Sequence, residues 1–373
     1  MKVLIVNPIM YTSETPDIPR VDSVRDSMIT GLCSAFAAAG HDVTLAACDR
    51  FRPLKDEDHP FDTKWFPPLC PAVCKPHVFP VLGGFRSFWR REGGAYDLVI
   101  SGEVFSANTL FLSRHAASRL IIWQELAKHN RLGKTVPSHI WYGVIARLFM
   151  RKSLVVARSA EARAFISKYM PRVAEEVIDH GTDLTRFIPS DKRGDHFMIC
   201  SQLIPRKRVD LSIERFARYR QQYDRGAKLI IAGEGECREE LEALSRRLLN
   251  GEGITFTGKL DHDRMIPLLA SARALLVSTE RDNNMVSVVE SIAVGTPVIT
   301  TSIPYNAGYI REYGLGIVDD DWDERALDRI VREAEAYRSR CLEYRKELSC
   351  SRRVEQFIMI AHKYLPADVV EKT

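Results

Sequence analysis

Asp282 and Glu290 are two acids with seven residues between them, within "STERDNNMVSVVESIAVGTPVIT", residues 278–300. The first follows a strand-like run in a polar loop. The second stands among Val288, Val289, Ile292 and Ala293 in an apolar helical pattern. Ionised carboxylates accept hydrogen bonds from paired hydroxyls, each contributing about 1.5–3 kcal/mol when charge-assisted. Two readings compete for Glu290. Ser287-x-x-Glu290 has the letters of a capping box, in which the glutamate closes a helix end and meets no ligand. Alternatively Glu290 is a ligand contact, and Asn284, Met285, Val286 and Ser287 offer the backbone N–H groups of a helix N-terminus to an anion. Glu280, two residues before Asp282, competes for the place of the first acid.

Other residues could serve the same chemistry. Arg206, Lys207 and Arg208 form a cationic run able to neutralise phosphate, although a lone lysine is ordinarily a solvated charge. Gly233 and Gly235 either shape a turn or let a phosphate approach the backbone. "VNPIMYT" stands where a dinucleotide fingerprint would follow the first strand, and the chain has no Walker loop, which argues against a dehydrogenase or a kinase. Cys70, Cys74 and His77 lack a fourth ligand and a zinc spacing. Asp319-Asp320-Asp321 and Asp56-Glu57-Asp58 carry D-x-D letters but read as loop and helix-start residues, so no metal is expected.

These residues must be positioned by an alternation of strands and helices that runs twice through the 373 residues. "KVLIVNP", "DVTLAA", "YDLVISG", "RLIIWQE" and "KSLVVARS" read as strands of a first parallel sheet, with a glycine stop at Gly40 and helical spacing in "SHIWYGVIARLFMRK". "RFIPSDKRGD" reads as a linker, and "HFMICSQL", "AKLIIAGEG", "GITFTGKL", "ARALLVST", "TPVITTS" and "GLGIVDD" as strands of a second sheet. The expected division is residues 1–189, residues 190–355 and an amphipathic C-terminal helix within 356–373 that packs back on the first domain. Two such doubly wound α/β domains would face one another across a cleft at their strands' carboxyl ends.

The motifs in order resemble the retaining glycosyltransferases of family 4, with the GT-B fold of two Rossmann-like domains. The resemblance rests on "IDHGTDLTRFIP", "LIPRKRVDLSIERFARY", "LIIAGEGECREELEAL", "ITFTGKLDHDRMIPLLASARALLVST" and an E-x7-E-like pair at Asp282 and Glu290. It implies that Glu290 meets the ribose diol of a nucleotide-sugar donor, that Asp282 holds the transferred sugar, and that Lys207 with Arg206 or Arg208 neutralises the diphosphate. Gln202, Gly233, Gly235, Gly258, Lys259 and Leu260 fall in the donor-binding segments, with the four residues of the Asn284–Ser287 run. In the N-terminal half Glu125 and His129, one helical turn apart, stand near the place of the family's histidine. This sequence departs from the family at Asp282, one methylene shorter than glutamate, and at Ser201-Gln202, where Gly-Arg is usual. The glycine pair after the first strand is replaced by "PIMYTSETPDIPR".

Charge bears on the acceptor. Residues 1–189 hold 24 Lys and Arg against 19 Asp and Glu, and the rest hold 29 against 30. From Val104 to Lys152 there are eight bases and one acid, Glu125. "GGFRSFWRREGG" sets Phe88 and Trp89 beside Arg90 and Arg91, a composition that suits a membrane interface. The alternative for both features is a solvated surface. No run approaches the roughly 20 apolar residues of a membrane span, the N-terminus reads as a first strand, and the eight cysteines are scattered, which together point to a cytoplasmic protein at the inner face of a membrane. The expected function is transfer of a sugar from a UDP- or GDP-sugar to a hydroxyl of a lipid-linked or polysaccharide acceptor, with no further cofactor and no nucleic-acid partner. A GT-B epimerase or hydrolase, or an inactive binding subunit, are the alternatives.

Overall fold

The computed structural model describes residues 1–11, 20–71, 79–130, 132–282 and 284–366. The chain divides into two compact units, Met1–Gly181 with Cys350–Thr373, and Thr182–Ser349.

In the first unit seven strands, β1 (Lys2–Val6), β2 (Asp42–Cys48), β3 (Asp62–Phe66), β4 (Leu98–Gly102), β5 (Leu120–Gln124), β6 (Leu154–Ala157) and β7 (Val173–Val177), form one sheet in the order β3-β2-β1-β4-β5-β6-β7. All pairs are parallel. The central strands β4 and β5 are buried at every residue, as continuous apolar runs covered on both faces must be. The edge strands β3 and β7, "DTKWF" and "VAEEV", are mostly half-buried or exposed, and their charges hid them from a search for apolar runs. The C-terminal helix, Cys350–Tyr364, belongs to this unit: Phe357 is fully buried against the rings of Phe36 and Trp123.

The second unit repeats the plan with six strands, β8 (His196–Cys200), β9 (Lys228–Ala232), β10 (Ile254–Gly258), β11 (Leu275–Leu276), β12 (Val298–Thr300) and β13 (Gly316–Val318), in the order β10-β9-β8-β11-β12-β13. Alternation along β8 feeds two cores. Met198 joins Val288 and Ile292 on one face, while Phe197 and Ile199 join Phe216 and Ile213 on the other. In each sheet the order reverses beside the first strand, between β1 and β4 and between β8 and β11. At such a reversal adjacent loops leave in opposite directions and open a crevice at the carboxyl ends.

The unit boundaries differ from the expected ones. The division falls at Gly181 and Thr182 rather than after Pro189, because the supposed linker is tied to the second unit. Phe187 is buried in its core, Thr182 N donates to Leu348 O at 2.9 Å, and Arg345 and Arg338 donate to the carbonyls of Phe187 and Ser190 at 2.6 and 2.7 Å. The return point is between Ser349 and Cys350, not at 355. Among the described residues no helix is long and apolar enough to cross a membrane.

Candidate functional site

The loops that follow β8 and β11 flank the strand-order reversal of the second sheet, and they are stitched together. After Cys200 the chain runs into a single 3-10 turn, Pro205–Lys207, capped by Arg208 at a φ of 46°. Arg206 O accepts from Glu280 N at 2.9 Å and from Thr279 Oγ1 at 3.2 Å, and the Arg206 guanidinium donates back to Arg281 O at 2.9 Å. Side chains complete the join. Asp282 Oδ2 accepts from Arg206 Nη1 at 3.2 Å and from Lys207 Nζ, while Arg208 is held by Glu280 and Asp210. The two candidate acids are held by different cations: Asp282 shares its oxygen with Lys207 and Arg206, and Glu280 faces Arg208.

Close beneath lies the pair of glycines. A Cβ on Gly233 would stand 1.8 Å from Ser201 O, and one on Gly235 would stand 2.3 Å from Leu203 O. The turn after β9 is pressed against the loop after β8 by paired backbone bonds, Ser201 N to Ala232 O at 3.1 Å and Leu203 N to Glu234 O at 2.9 Å. Only glycine permits that approach, so both residues have a structural reason whatever else they meet. Gln202 is half-buried in this loop; Gly258 accepts from Gly233 N at 2.9 Å, Lys259 is exposed, and Leu260 packs on the core.

The capping-box reading of Glu290 fails. The helix Val286–Ala293 is capped by Met285, whose side chain makes no capping bond, so Ser287 is the second helical residue and Glu290 the fifth. Glu290 is buried, 6% exposed, and its Oε1 lies 2.8 Å from His262 Nε2. It also lies near Cys200, whose thiol is pushed up by burial and then by the Glu290 charge. The four-residue run before it divides. Met285 N is already taken by Asn306 Oδ1 at 2.7 Å, which removes it from the expected set of free donors. The Val286 and Ser287 N–H groups have no acceptor among the described residues, and both polar atoms of the Asn284 amide are shielded without a partner. His262 and Asn306 were not foreseen. The only signal for His262 was a histidine directly after the helix cap Asp261.

The first unit holds a second group, built from ionisable residues at successive carboxyl ends. Glu103 follows β4, Glu125 follows β5, Arg158 follows β6, and Asp179 and His180 follow β7. Arg158 lies 3.7 Å over the Trp123 ring and donates to Glu125 Oε2 at 2.7 Å. Glu103, at a φ of 64°, accepts from the backbone N–H groups of Glu125 and Leu126 at 2.6 and 3.2 Å. Burial, and then the Glu125 charge, push its carboxyl up to about 8. Burial likewise pushes Asp179 up to about 7 and His180 down to about 4. Arg158 Nε, Asp179 Oδ2 and His180 Nδ1 are buried without a partner among the described residues.

Three expected placements change. His129 is not a helical turn beyond Glu125, since residues 125–130 form no helix. Its two ring nitrogens lie 3.1 Å from Ser138 Oγ and 3.0 Å from the Tyr169 hydroxyl, within an aromatic cluster, which leaves neither for a substrate. Phe88 and Trp89 are core residues, 3% and 7% exposed: positions 85, 88 and 89 form one face of the helix Phe85–Glu92, and that face turns inward onto Phe66 and Tyr96. Arg90 and Arg91 stay exposed without the aromatics that were to accompany them. Among the described residues no group of three His, Cys, Asp or Glu could hold a metal ion; Cys74 and His77 lie outside those residues.

Residues 183–349 match the family described as "Glycosyl transferases group 1". The second unit belongs to that family. The chain is 32% identical over 154 residues to a GDP-mannose-dependent alpha-(1-6)-phosphatidylinositol dimannoside mannosyltransferase of Mycobacterium tuberculosis, a match covering 40% of this chain and 39% of that one. It is 23% identical over 261 residues to an alpha-monoglucosyldiacylglycerol synthase of Streptococcus pneumoniae, covering 58% of this chain and 59% of the relative. The chain thus matches 39% and 59% of the length of these relatives. In structure the chain resembles Anabaena HepE crystallised with UDP, at a TM-score of 0.67 and 14% identity over 97% of this chain and 100% of that one. The fold is GT-B.

Two measurements check the site's construction. Gly233→Ala will lower the stability of the second unit by about 3 kcal/mol or more in a denaturant melt, because its Cβ has no room. Gly308→Ala, where a Cβ meets nothing within 4 Å, will leave it unchanged or slightly raised. The raised carboxyls of Glu103 and Asp179 favour the neutral form in the folded state. Their contribution is present below about pH 4 and is lost as pH rises through 7 and 8. His180, lowered to about 4, contributes above about pH 6.5 and loses that contribution only in acid. Between about pH 6.5 and pH 8 the two acids are still losing their contribution, so the first unit's melting temperature will fall with rising pH, and Glu103→Gln will flatten that slope. An unchanged slope would remove Glu103 as the cause.

Proposed function

We propose that the chain is a retaining glycosyltransferase that moves a sugar from a nucleotide-sugar donor to a hydroxyl of a lipid-linked or glycan acceptor. The observation that carries the proposal is Glu290: a buried carboxylate that caps nothing, meets His262 Nε2 through one oxygen and acts on the thiol of Cys200 at the end of β8. A buried charge is costly unless it is paired or meets a ligand. His262 partners one oxygen, and the ribose diol of a donor is the partner assigned to the other.

Arg206 and Lys207 take the diphosphate. Asp282 holds both cations within its reach, so a diphosphate bound there shares or replaces a carboxylate they already face. Arg206 supplies the guanidinium that Gln202 cannot. Asp282, released in part, turns its free oxygen to the sugar's hydroxyls. Asn284 and the Val286 and Ser287 N–H groups supply unpaired donors nearby. In the reaction the acceptor oxygen bonds to the anomeric carbon on the face from which the diphosphate departs. The acceptor's proton passes to a phosphate oxygen, and Lys207 with Arg206 stabilises the charge left on the leaving group. With the charge assigned to these side chains, the reading requires no divalent cation.

The lipids in the names of the relatives, a phosphatidylinositol dimannoside and a monoglucosyldiacylglycerol, support a lipid-linked acceptor. HepE, crystallised with UDP, supports a UDP-sugar, and the mycobacterial relative a GDP-sugar. The test is turnover of a panel of UDP- and GDP-sugars with and without glycolipid acceptor, in the presence of a chelator. Acceptor-dependent release of nucleotide with retained anomeric configuration is the expected result. Release without acceptor would make the chain a hydrolase or epimerase, and no turnover with binding would make it a binding subunit. In the same assay Glu290→Gln, which keeps an acceptor for His262, will lower kcat/KM by about tenfold to a hundredfold while the melting curve stays close to that of the parent.

A further inference from the structure

The helical segment from Val136 to Phe149 has two apolar rails of opposite fate. Ser138, Tyr142, Ala146 and Met150 are fully buried, and Trp141 Nε1 anchors the inner side to Val104 O at 2.8 Å. Val136, Ile140, Val144 and Leu148, at the same spacing of four, are 57%, 54%, 51% and 64% exposed, with Phe149 at 47% beside them. The spacing stays in register because the middle of the segment, Trp141–Ala146, is a π-helix, whose wider turn shifts the average period toward four. A helix that faces water on one side carries polar residues there, whereas this outward line is aliphatic for its whole length.

Bases surround the outward rail. Lys134, Arg147, Arg151 and Lys152 are exposed, and the Arg114 guanidinium lies 5.3 Å over the Phe149 ring. None of these five is in an ion pair among the described residues, and Glu125, the one acid between Val104 and Lys152, is held by Arg158. Aliphatic side chains in a line, flanked by unpaired cations, match the layered chemistry of an anionic bilayer, in which phosphates lie above the acyl boundary. We propose that this rail is the membrane-docking surface of the first unit, with Val136, Ile140, Val144 and Leu148 entering the acyl boundary and the surrounding bases meeting anionic headgroups. The placement is independent of the transfer reaction, and it replaces Phe88 and Trp89 as the membrane-facing residues.

Flotation with vesicles tests it without any assay of activity. The purified chain is expected to float with equimolar phosphatidylcholine–phosphatidylglycerol vesicles and not with phosphatidylcholine alone, and the bound fraction is expected to fall as salt is raised. The pair Ile140→Ser and Leu148→Ser will weaken partitioning about tenfold or more. Arg151→Glu with Lys152→Glu, which leaves the apolar rail intact, will do the same. Met359→Ser, which removes a similarly exposed apolar side chain (54%) from the C-terminal helix, will change nothing. All variants are at exposed positions, and matching melting curves establish that they are folded. The proposal is overturned if the parent chain does not bind anionic vesicles, if either pair floats as well as the parent, or if the parent is a dimer that Ile140→Ser with Leu148→Ser converts to monomer.

Discussion

A parallel sheet can be joined only by connections that carry the chain back to the starting edge, so every loop that leaves a strand's end leaves from the same side. Both sheets here are wholly parallel; Glu103, Glu125, Arg158, Asp179 and His180 stand just beyond such ends, Arg206–Arg208 and Glu280–Asp282 lie on the connections that follow β8 and β11, and Glu290 lies inside the helix that comes next. Within the second unit the constraint brings residues 206–208 and 280–282 together, although more than 70 positions separate them. The bond from Glu280 N to Arg206 O then makes the two loops one structure. The bonds from Thr279 Oγ1 to Arg206 O and from Arg206 Nη1 to Arg281 O reinforce it. With the Glu280–Arg206 bond, the pairing of Asp282 with Lys207 is set by the backbone before either side chain is considered.

Electrostatics gives that join a second consequence. Three bases follow one another in the chain, and three acids oppose them: Asp282 against Arg206 and Lys207, and Glu280 and Asp210 against Arg208. Arg208 is the residue with φ of 46°, which turns its side chain away from its two neighbours and toward the other acids. A run of like charges that would repel in a regular helix is thereby split into two sets, one with a base in excess and one with an acid in excess. Of these, the Asp282 set reaches the strand-order reversal, since its Lys207 lines one narrow cavity with Cys200, Ser201, Thr279 and Met285.

Much of this was legible because buried parallel strands are short, apolar and punctuated. Each central strand was recognisable from its own residues, and the loop after it could be located without knowing the pairing. What was not legible depends on what a residue packs against. β3 and β7 carry charge because one edge of each faces water, and so they resemble loops in sequence. Phe88 and Trp89 look like an exposed aromatic pair until the helix places them on one face with Phe85. Ser287 and Glu290 look like a capping box until the helix is found to start at Val286, with Met285 at the cap two residues before Ser287. In the first unit a signal was present but unread: an ionisable residue follows each of four consecutive strands, and the charges that look isolated in sequence form one group in space.

The outward rail of residues 136–148 adds a point about helices that pack on a sheet. A strictly α-helical segment drifts by 40° over each four-residue step, so four aliphatics at that spacing would fan across the surface by about 120° and could not all face one plane. The π-helical stretch of six residues removes much of that drift in the middle, which keeps Ile140 and Val144 aligned as well as Tyr142 and Ala146 on the opposite side. The same departure therefore straightens two lines at once, the buried inner one and the exposed outer one. Packing alone accounts for the inner line. It gives no reason for aliphatic rather than polar residues on the outer one, and a flat apolar surface in contact with the whole line is the physical circumstance that does.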